Sequence, residues 1–343
     1  AGDIRLIGVQ PIDRTFNPDA TIAPSLTGGL VVAGDLTLRA AQVYATTGTG
    51  NLQQIIENPG AKATPFVIAS LGGLNLGGAV RGKPNATIRI EGNGTITPNA
   101  PLSAGSYLSI LAPNIEQAGV LRVPLGRLDL GSRSGALVVA GGTFATVTTS
   151  NLTLEDGSIT SVSANGLSIP YGITTDLTEY YFSPNVLSPI TRQPAAQLSL
   201  SGANIITGTG ATVDVSGGGD TYAYEFVSGT GGSRDVLSRF NSDAFSSNDG
   251  FQYADGRHVY AIVPAATAAS VALYDPLYSG DYGALYGTDV GKTVKLDAAP
   301  GIAAGDYVLL PAKYALLPGA MRLVENVGAT ASVPGASGQL LDG

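Results

Sequence analysis

The chain has 343 residues with a net charge of −8, and only 13% of its residues are charged, about half the ~25% of ordinary soluble domains. The acidic balance argues against a nucleic-acid partner, because phosphate binding needs a basic face. A hydrophobic share of 44% argues against disorder, and the absence of Cys removes disulfides and thiolate metal ligands together.

Short apolar-x-apolar pairs run along the chain, separated by Gly- and Asn-rich turns. The first is Leu36-Thr37-Leu38, and then come Ile88-Arg89-Ile90, Leu108-Ser109-Ile110 and Leu128-Asp129-Leu130, spaced 20 residues apart. Leu152-Thr153-Leu154, Leu198-Ser199-Leu200 and Val213-Asp214-Val215 follow. Secondary apolar positions trail a glycine: Gly94-Thr95-Ile96, Gly119-Val120-Leu121, Gly157-Ser158-Ile159 and Gly210-Ala211-Thr212-Val213. Alternation with a period of two predicts strands, and a repeat near 20 residues predicts stacked units that bury apolar faces only against their neighbours. The expectation is an all-β parallel β-helix, a solenoid of about 20 residues per coil, with Ile88, Leu108 and Leu128 above one another. A leucine-rich repeat would need a fixed Asn and a helical return, and a propeller would need Trp-Asp blades. An antiparallel sandwich stays open as the lesser alternative.

The regularity breaks at 171–193, around Glu179-Tyr180-Tyr181-Phe182, and again after residue 215. The predicted organisation is coils over 1–215, an extra-helical Tyr/Phe-rich insertion over 216–290 with a short helix near 236–240, and a return to coils over 291–343, beginning with Val294-Lys295-Leu296 and Tyr307-Val308-Leu309-Leu310. The uncharged runs are too polar or too short to cross a membrane. No leader stands at the amino terminus, so the chain reads as a piece of something longer.

The block Ala303-Ala304-Gly305-Asp306-Tyr307-Val308-Leu309-Leu310-Pro311-Ala312-Lys313-Tyr314-Ala315-Leu316-Leu317-Pro318-Gly319-Ala320 resembles one in filamentous-haemagglutinin-like exoproteins of two-partner secretion systems. Val213-Asp214-Val215-Ser216-Gly217-Gly218-Gly219-Asp220 and the aromatic run after it resemble that family too, so the likeness covers about 195–325. It implies a long right-handed β-helix, export through an outer-membrane partner transporter, a secreted or cell-surface location, and a role in adhesion, aggregation or biofilm formation. The family's Asn-Pro-Asn-Gly type secretion motif is missing, since Asn17-Pro18-Asp19-Ala20 departs from it. The resemblance therefore concerns the shaft of a larger parent chain.

No catalytic, cofactor or metal site is expected. Parallel β-helices also host polysaccharide lyases and hydrolases, and Asp220, Glu225, Asp235, Asp243, Asp249 and Asp255 are the carboxylates such an enzyme would draw on. Scattered Asp in a Gly/Ser loop is ordinarily turn chemistry. His258 has no nucleophile elbow to pair with, Gly217-Gly218-Gly219-Asp220 is a single echo of a calcium repeat, and Gly48-Thr49-Gly50 and Gly208-Thr209-Gly210 lack the Lys-Ser/Thr of a phosphate loop. The aromatic residues carry two readings. Tyr222, Tyr224, Phe226, Phe240 and Phe245 form a small core of the excursion, or Tyr180, Tyr181, Phe182, Tyr222 and Tyr224 present a contact surface to a receptor or glycan. End-to-end self-association is the remaining partner expectation, because a bare coil end is an open strand template.

Overall fold

In a computed structural model of the chain, the residues described are 28–48, 65–71, 74–76, 79–81, 83–140, 143–182, 189–194, 196–225, 259–264 and 291–324. Among them there is no α-helix, and the architecture is all-β. Three parallel sheets dominate, two of five strands and one of four. The first holds Gly28–Val32, Phe66–Ser70, Tyr107–Leu111, Arg127–Leu130 and Gln197–Leu200. The second holds Leu36–Arg39, Thr87–Glu91, Asn114–Ala118, Asn151–Leu154 and Asn204–Thr207. The third holds Val43–Tyr44, Val120–Arg122, Ile159–Ser161 and Thr212–Asp214. Strands lie in each sheet in the order of the sequence, so over five passes the chain visits the first and second sheets every time and the third on all but the second pass. This order is compatible with a β-helix.

The registers explain why the apolar pairs recur. In the first sheet Phe66, Leu108, Leu128 and Leu198 form one column, and Leu30, Ile68, Ile110, Leu130 and Leu200 another. In the second, Leu36, Ile88, Ile115, Leu152 and Ile205 are aligned. These columns meet in one core in which Ile88, Ile90, Ile110, Ile115, Leu121, Leu128, Leu130, Leu152 and Leu154 are fully buried. Parallel pairing holds like residues directly above one another, so each column is one continuous apolar contact. Gln117 enters the interior with its amide satisfied. Gln117 stands in register between Ile90 and Leu154, and its Nε2 donates to the Ile159 carbonyl at 2.8 Å while its Oε1 accepts from Gly119 N–H.

The outward positions carry ladders of their own. Arg89 pairs with Glu116 at 2.5 Å and with Glu91 at 3.0 Å, and Arg39 also reaches Glu91. These pairs are solvated and contribute little each. On the first sheet, buried Tyr107 donates its hydroxyl to Asp129 at 2.6 Å and lies under the Arg127 guanidinium, 4.6 Å from the ring centre. Burial, and then the Asp129 carboxylate, push its pKa well above the usual phenol value.

Two expectations about the repeat are corrected. Ile88 is not stacked on Leu108 and Leu128. It lies in the second sheet between Leu36 and Ile115, while Leu108 and Leu128 pair in the first. Nor is the pass length constant near 20 residues, since Leu128 next meets Leu198. The reason is that hairpins are inserted at the corners: Leu74–Leu76 with Ala79–Arg81, Ala136–Ala140 with Thr143–Val147, and Ser168–Thr175 with Glu179–Tyr181. Gly94-Thr95-Ile96 also departs from its pattern. Ile96 is 93% exposed, and Val43 of the first pass pairs directly with Leu121 of the third. Asn93 Oδ1 accepts from both the backbone and the hydroxyl of Thr95, closing a tight turn that carries the second pass outside. Pro98, which lacks an N–H, follows, and its carbonyl accepts from Arg122 at 2.6 Å.

The carboxy-terminal strands are corrected as well. Strands do form at Thr293–Leu296, Gly305–Val308 and Leu310–Pro311, but they do not rejoin the parallel sheets. Thr293–Leu296 pairs antiparallel with Gly305–Val308, and Val259–Ile262 pairs antiparallel with Leu310–Pro311 and Met321–Val324. Alternation marks a strand without marking its partner's direction, and only Thr293–Leu296 with Gly305–Val308 closes a local hairpin. This unit has its own buried residues, Ala261, Leu310, Tyr314 and Leu317, with Leu102 of the parallel part packed against them. The insertion expected from 216 begins with Asp220–Tyr224, which still pairs parallel, with Ser168–Thr175. The helix expected near 236–240 lies outside the described residues. No helix among the described residues is long and apolar enough to cross a membrane.

Candidate contact surface

A three-stranded sheet carries four of the five candidate contact residues, and Phe182 directly follows one of its strands. Ser168–Thr175 is central, Glu179–Tyr181 pairs with it antiparallel and Asp220–Tyr224 parallel. Tyr181, Ile173 and Tyr224 share one rung, and residues in register project to one face. Tyr222, two residues from Tyr224, projects to that face too. Tyr180 pairs with Thr174 and belongs to the opposite face, with Phe182 two residues further on.

A bulge between Pro170 and Ile173 produces this division. Gly172 has a φ of +79°, which glycine adopts without steric cost, and a Cβ there would come within 2.3 Å of the Tyr181 carbonyl oxygen. The extra residue lets Tyr171 and Thr174 both face inward, where they are 5% and 3% exposed, while Ile173 turns outward. Tyr171 meets Phe182 edge-to-face at a centroid distance of 5.2 Å.

The five residues therefore part company. Phe182 is only 3% exposed and packs with Ala104, Leu125, Ala164, Ile169 and Tyr171, so its assignment to a contact surface is corrected to core. Tyr180 and Tyr222 are each 42% exposed. Tyr181 and Tyr224 are half-buried. The proposed small core of the excursion finds Tyr222 and Tyr224 on a sheet face, while Phe226, Phe240 and Phe245 lie outside the described residues.

Leu177, which carries no signal in the sequence, stands at the hairpin tip with 75% of its surface exposed. Asp176 and Leu177 both have positive φ, 52° and 57°, and Thr178 N–H donates to the Thr175 carbonyl at 3.0 Å. Two central residues of positive φ make a turn that matches the twist of a hairpin, normally built from Asn-Gly or Asp-Gly. A leucine in that conformation is strained by roughly 1–3 kcal/mol. Asp-Leu is a poor turn signal, so the tip was not legible beforehand.

The carboxylates beside these aromatic residues are structural. Glu179 accepts from the Tyr181 hydroxyl at 2.7 Å, which raises the Tyr181 pKa, and Glu225 accepts from Asp176 N–H at 2.8 Å. Asp235, Asp243, Asp249, Asp255 and His258 lie outside the described residues. No group of three or more His, Cys, Asp or Glu among the described residues could hold a metal ion. Gly217, Gly218 and Gly219 all have positive φ, and the Gly217 carbonyl accepts from Ala164 N–H at 3.0 Å, so the run is a turn laid on the preceding pass. Gly208-Thr209-Gly210 is likewise a turn, with Thr209 N–H donating to Asp156 Oδ1 at 2.7 Å. The surface that results is aromatic and apolar, with acidic groups at its edge. Compared with protein-family models, with curated proteins and with solved structures, the chain matches none.

Proposed function

We propose that the five passes are coils of a right-handed parallel β-helix, and that the chain is a stretch of the shaft of a large secreted bacterial exoprotein of the filamentous-haemagglutinin type. The observation that carries this reading is the recurrence of three parallel sheets in one order, with in-register apolar columns through the first two. Right-handedness follows from the strong preference of parallel crossovers, roughly 98%. The work of such a shaft is mechanical. Each coil adds about 4.8 Å of reach, and adhesion, aggregation or biofilm contacts are made by what the shaft displays. In this reading the chain is not an enzyme. Tyr181, Tyr222 and Tyr224, with Leu177 and Tyr180 at the adjoining hairpin, form its contact surface for a cell-surface protein or glycan. Export through an outer-membrane partner belongs to the parent chain.

The deciding experiment is the mass and location of the native polypeptide in surface, culture-fluid and cytoplasmic fractions of the producing organism. A surface-bound or released product far larger than 34.6 kDa is expected. A cytoplasmic product of about that size would overturn the reading.

A further inference from the structure

An asparagine ladder climbs the corner before the second sheet, and it has a direction. Asn114 donates its Nδ2–H to the Asn85 carbonyl at 3.0 Å, Asn151 donates to Asn114 Oδ1 at 2.8 Å, and Asn204 donates to Asn151 Oδ1 at 3.1 Å. The Asn85 carbonyl only accepts, so every amide above it must turn nitrogen toward the earlier pass and oxygen toward the later one. The ladder thus ends on Asn204 Oδ1, an exposed acceptor to which no described residue donates.

Around that atom no described strand covers the fifth pass. Its strands Gln197–Leu200, Asn204–Thr207 and Thr212–Asp214 each stand last in their sheets among the described residues. Ile205 and Val213, which continue columns that are buried one pass earlier, are 47% and 43% exposed. The other end is the first pass, whose residues pack on the core as Leu198, Leu200 and Ala211 of the fifth pass also do. Leu36, Leu38 and Val43 are partly buried against the core. The residue preceding Leu36, in register with the ladder, is Asp35, whose carboxylate accepts from Lys83 Nζ at 2.6 Å and from Thr87 N–H at 2.9 Å. The Lys83 contact, and then the Thr87 amide, hold Asp35 below the usual carboxylate range, so it is an anion at neutral pH.

We propose that the fifth pass is a docking surface for a further coil whose second strand opens with Asn ahead of an apolar residue, and that Asp35 excludes the chain's own first pass from that place. The proposal rests on the coiled reading given above. A strand added in register sets one side chain over Asn204 Oδ1, and that side chain has to donate. Asparagine does so with Nδ2 and leaves its own Oδ1 for the next layer, which makes it the repeating unit of the ladder. A second copy stacked head to tail would match the apolar columns, with Leu36 over Ile205 and Val43 over Val213. It would also press the Asp35 carboxylate, which has no proton to give, against an acceptor. Discrimination between a foreign coil and a copy of this chain therefore falls on one position, in the way exposed strand edges are commonly guarded by charge.

The test uses the unaltered full chain and a synthetic peptide of residues 197–215, a copy of the fifth pass, titrated by fluorescence anisotropy. The same peptide carrying Asn204→Asp is the comparison. Saturable binding of the first, and at least tenfold weaker binding of the second, is expected. No saturable binding, or equal binding of the two peptides, would overturn the docking surface. In sedimentation velocity the unaltered chain should stay monomeric. Asp35→Asn, which keeps an acceptor for Thr87 N–H and frees Nδ2 to reach the Asn204 of a neighbouring copy, should self-associate with rising concentration. A folded Asp35→Asn chain that remains monomeric, or an unaltered chain that associates as readily, would remove the role given to Asp35. None of these outcomes depends on the mass or location of the native polypeptide, so this inference and the shaft reading fail separately.

Discussion

Truncating Leu152 and Ile205 to alanine, one at a time, asks how far burial along a single column controls stability. The two residues are register partners in adjacent passes, yet Leu152 is fully buried and Ile205 is 47% exposed. Leu152→Ala removes atoms from a site closed on every side by the core that also holds Ile115, Leu121 and Leu154. It forfeits the transfer free energy and leaves a cavity, which together cost about 2–5 kcal/mol in well-packed interiors, and about 3 kcal/mol is the central expectation. Ile205→Ala forfeits roughly half of a side-chain burial worth about 1.5–3 kcal/mol, and water fills the space, so about 1 kcal/mol is expected. Urea unfolding of the full chain followed by far-ultraviolet circular dichroism reads both, provided the slope of the transition stays the same. Equal losses would refute the reasoning, because they would mean that Ile205 is covered in the isolated chain and that the fifth pass is not an open end.

Other substitutions test other parts. Ser158 is 1% exposed and its hydroxyl has no hydrogen-bond partner among the described residues, so Ser158→Ala should stabilise the chain by about 1 kcal/mol in the same unfolding assay. Gly172→Ala places a side chain against the Tyr181 carbonyl at positive φ and should cost more than about 1 kcal/mol, read as faster proteolysis of the 168–182 hairpin. Replacing Asp176-Leu177 by Asn-Gly should raise the melting temperature by relieving the turn, while weakening any adhesion measured on cells or glycan surfaces. Glu91 is held below its ordinary pKa first by Arg39 and then by Arg89, and Asp35 by Lys83. Groups depressed in the folded state add stability that is complete above the unfolded carboxylate range, near pH 4, and is lost as pH falls through their lower folded values. An acid titration of stability should therefore drop below about pH 4, and Glu91→Gln should flatten part of that drop.

The inward residues were the legible part of this fold. Leu36, Leu38, Ile88, Ile90, Leu108, Ile110, Leu128, Leu130, Leu152 and Leu154 alternate with polar neighbours, and all of them point to or pack against one core. Which sheet each pair joins was not legible, because alternation reports a face and says nothing of the partner. Ile88 was misplaced for that reason, and the 20-residue interval from Ile88 to Leu108 crosses a corner loop that no column records. The Gly94-Thr95-Ile96 pattern failed because the Asn93 turn and Pro98 act on the backbone locally, against the pull of burial. In the contact surface, the tyrosines were visible as a composition shift. Their division between two faces was set by one glycine bulge, and Leu177 gave no signal because its turn departs from the residues that normally build it.

The direct pairing of the 43–44 strand with the 120–122 strand has a consequence for shape. From the first pass to the third, two faces advance by two strand spacings and the remaining face by only one. The stack is therefore a wedge there, taller on two sides than on the other by about 4.8 Å. If the passes are coils, as proposed above, their axis bends toward the short side at this level. The short side is joined by only two register pairs, Val43 with Leu121 and Tyr44 with Arg122, and axial tension would concentrate on them first. In the shaft reading proposed above, this level would be the compliant point of the column, beside the loop that carries Ile96.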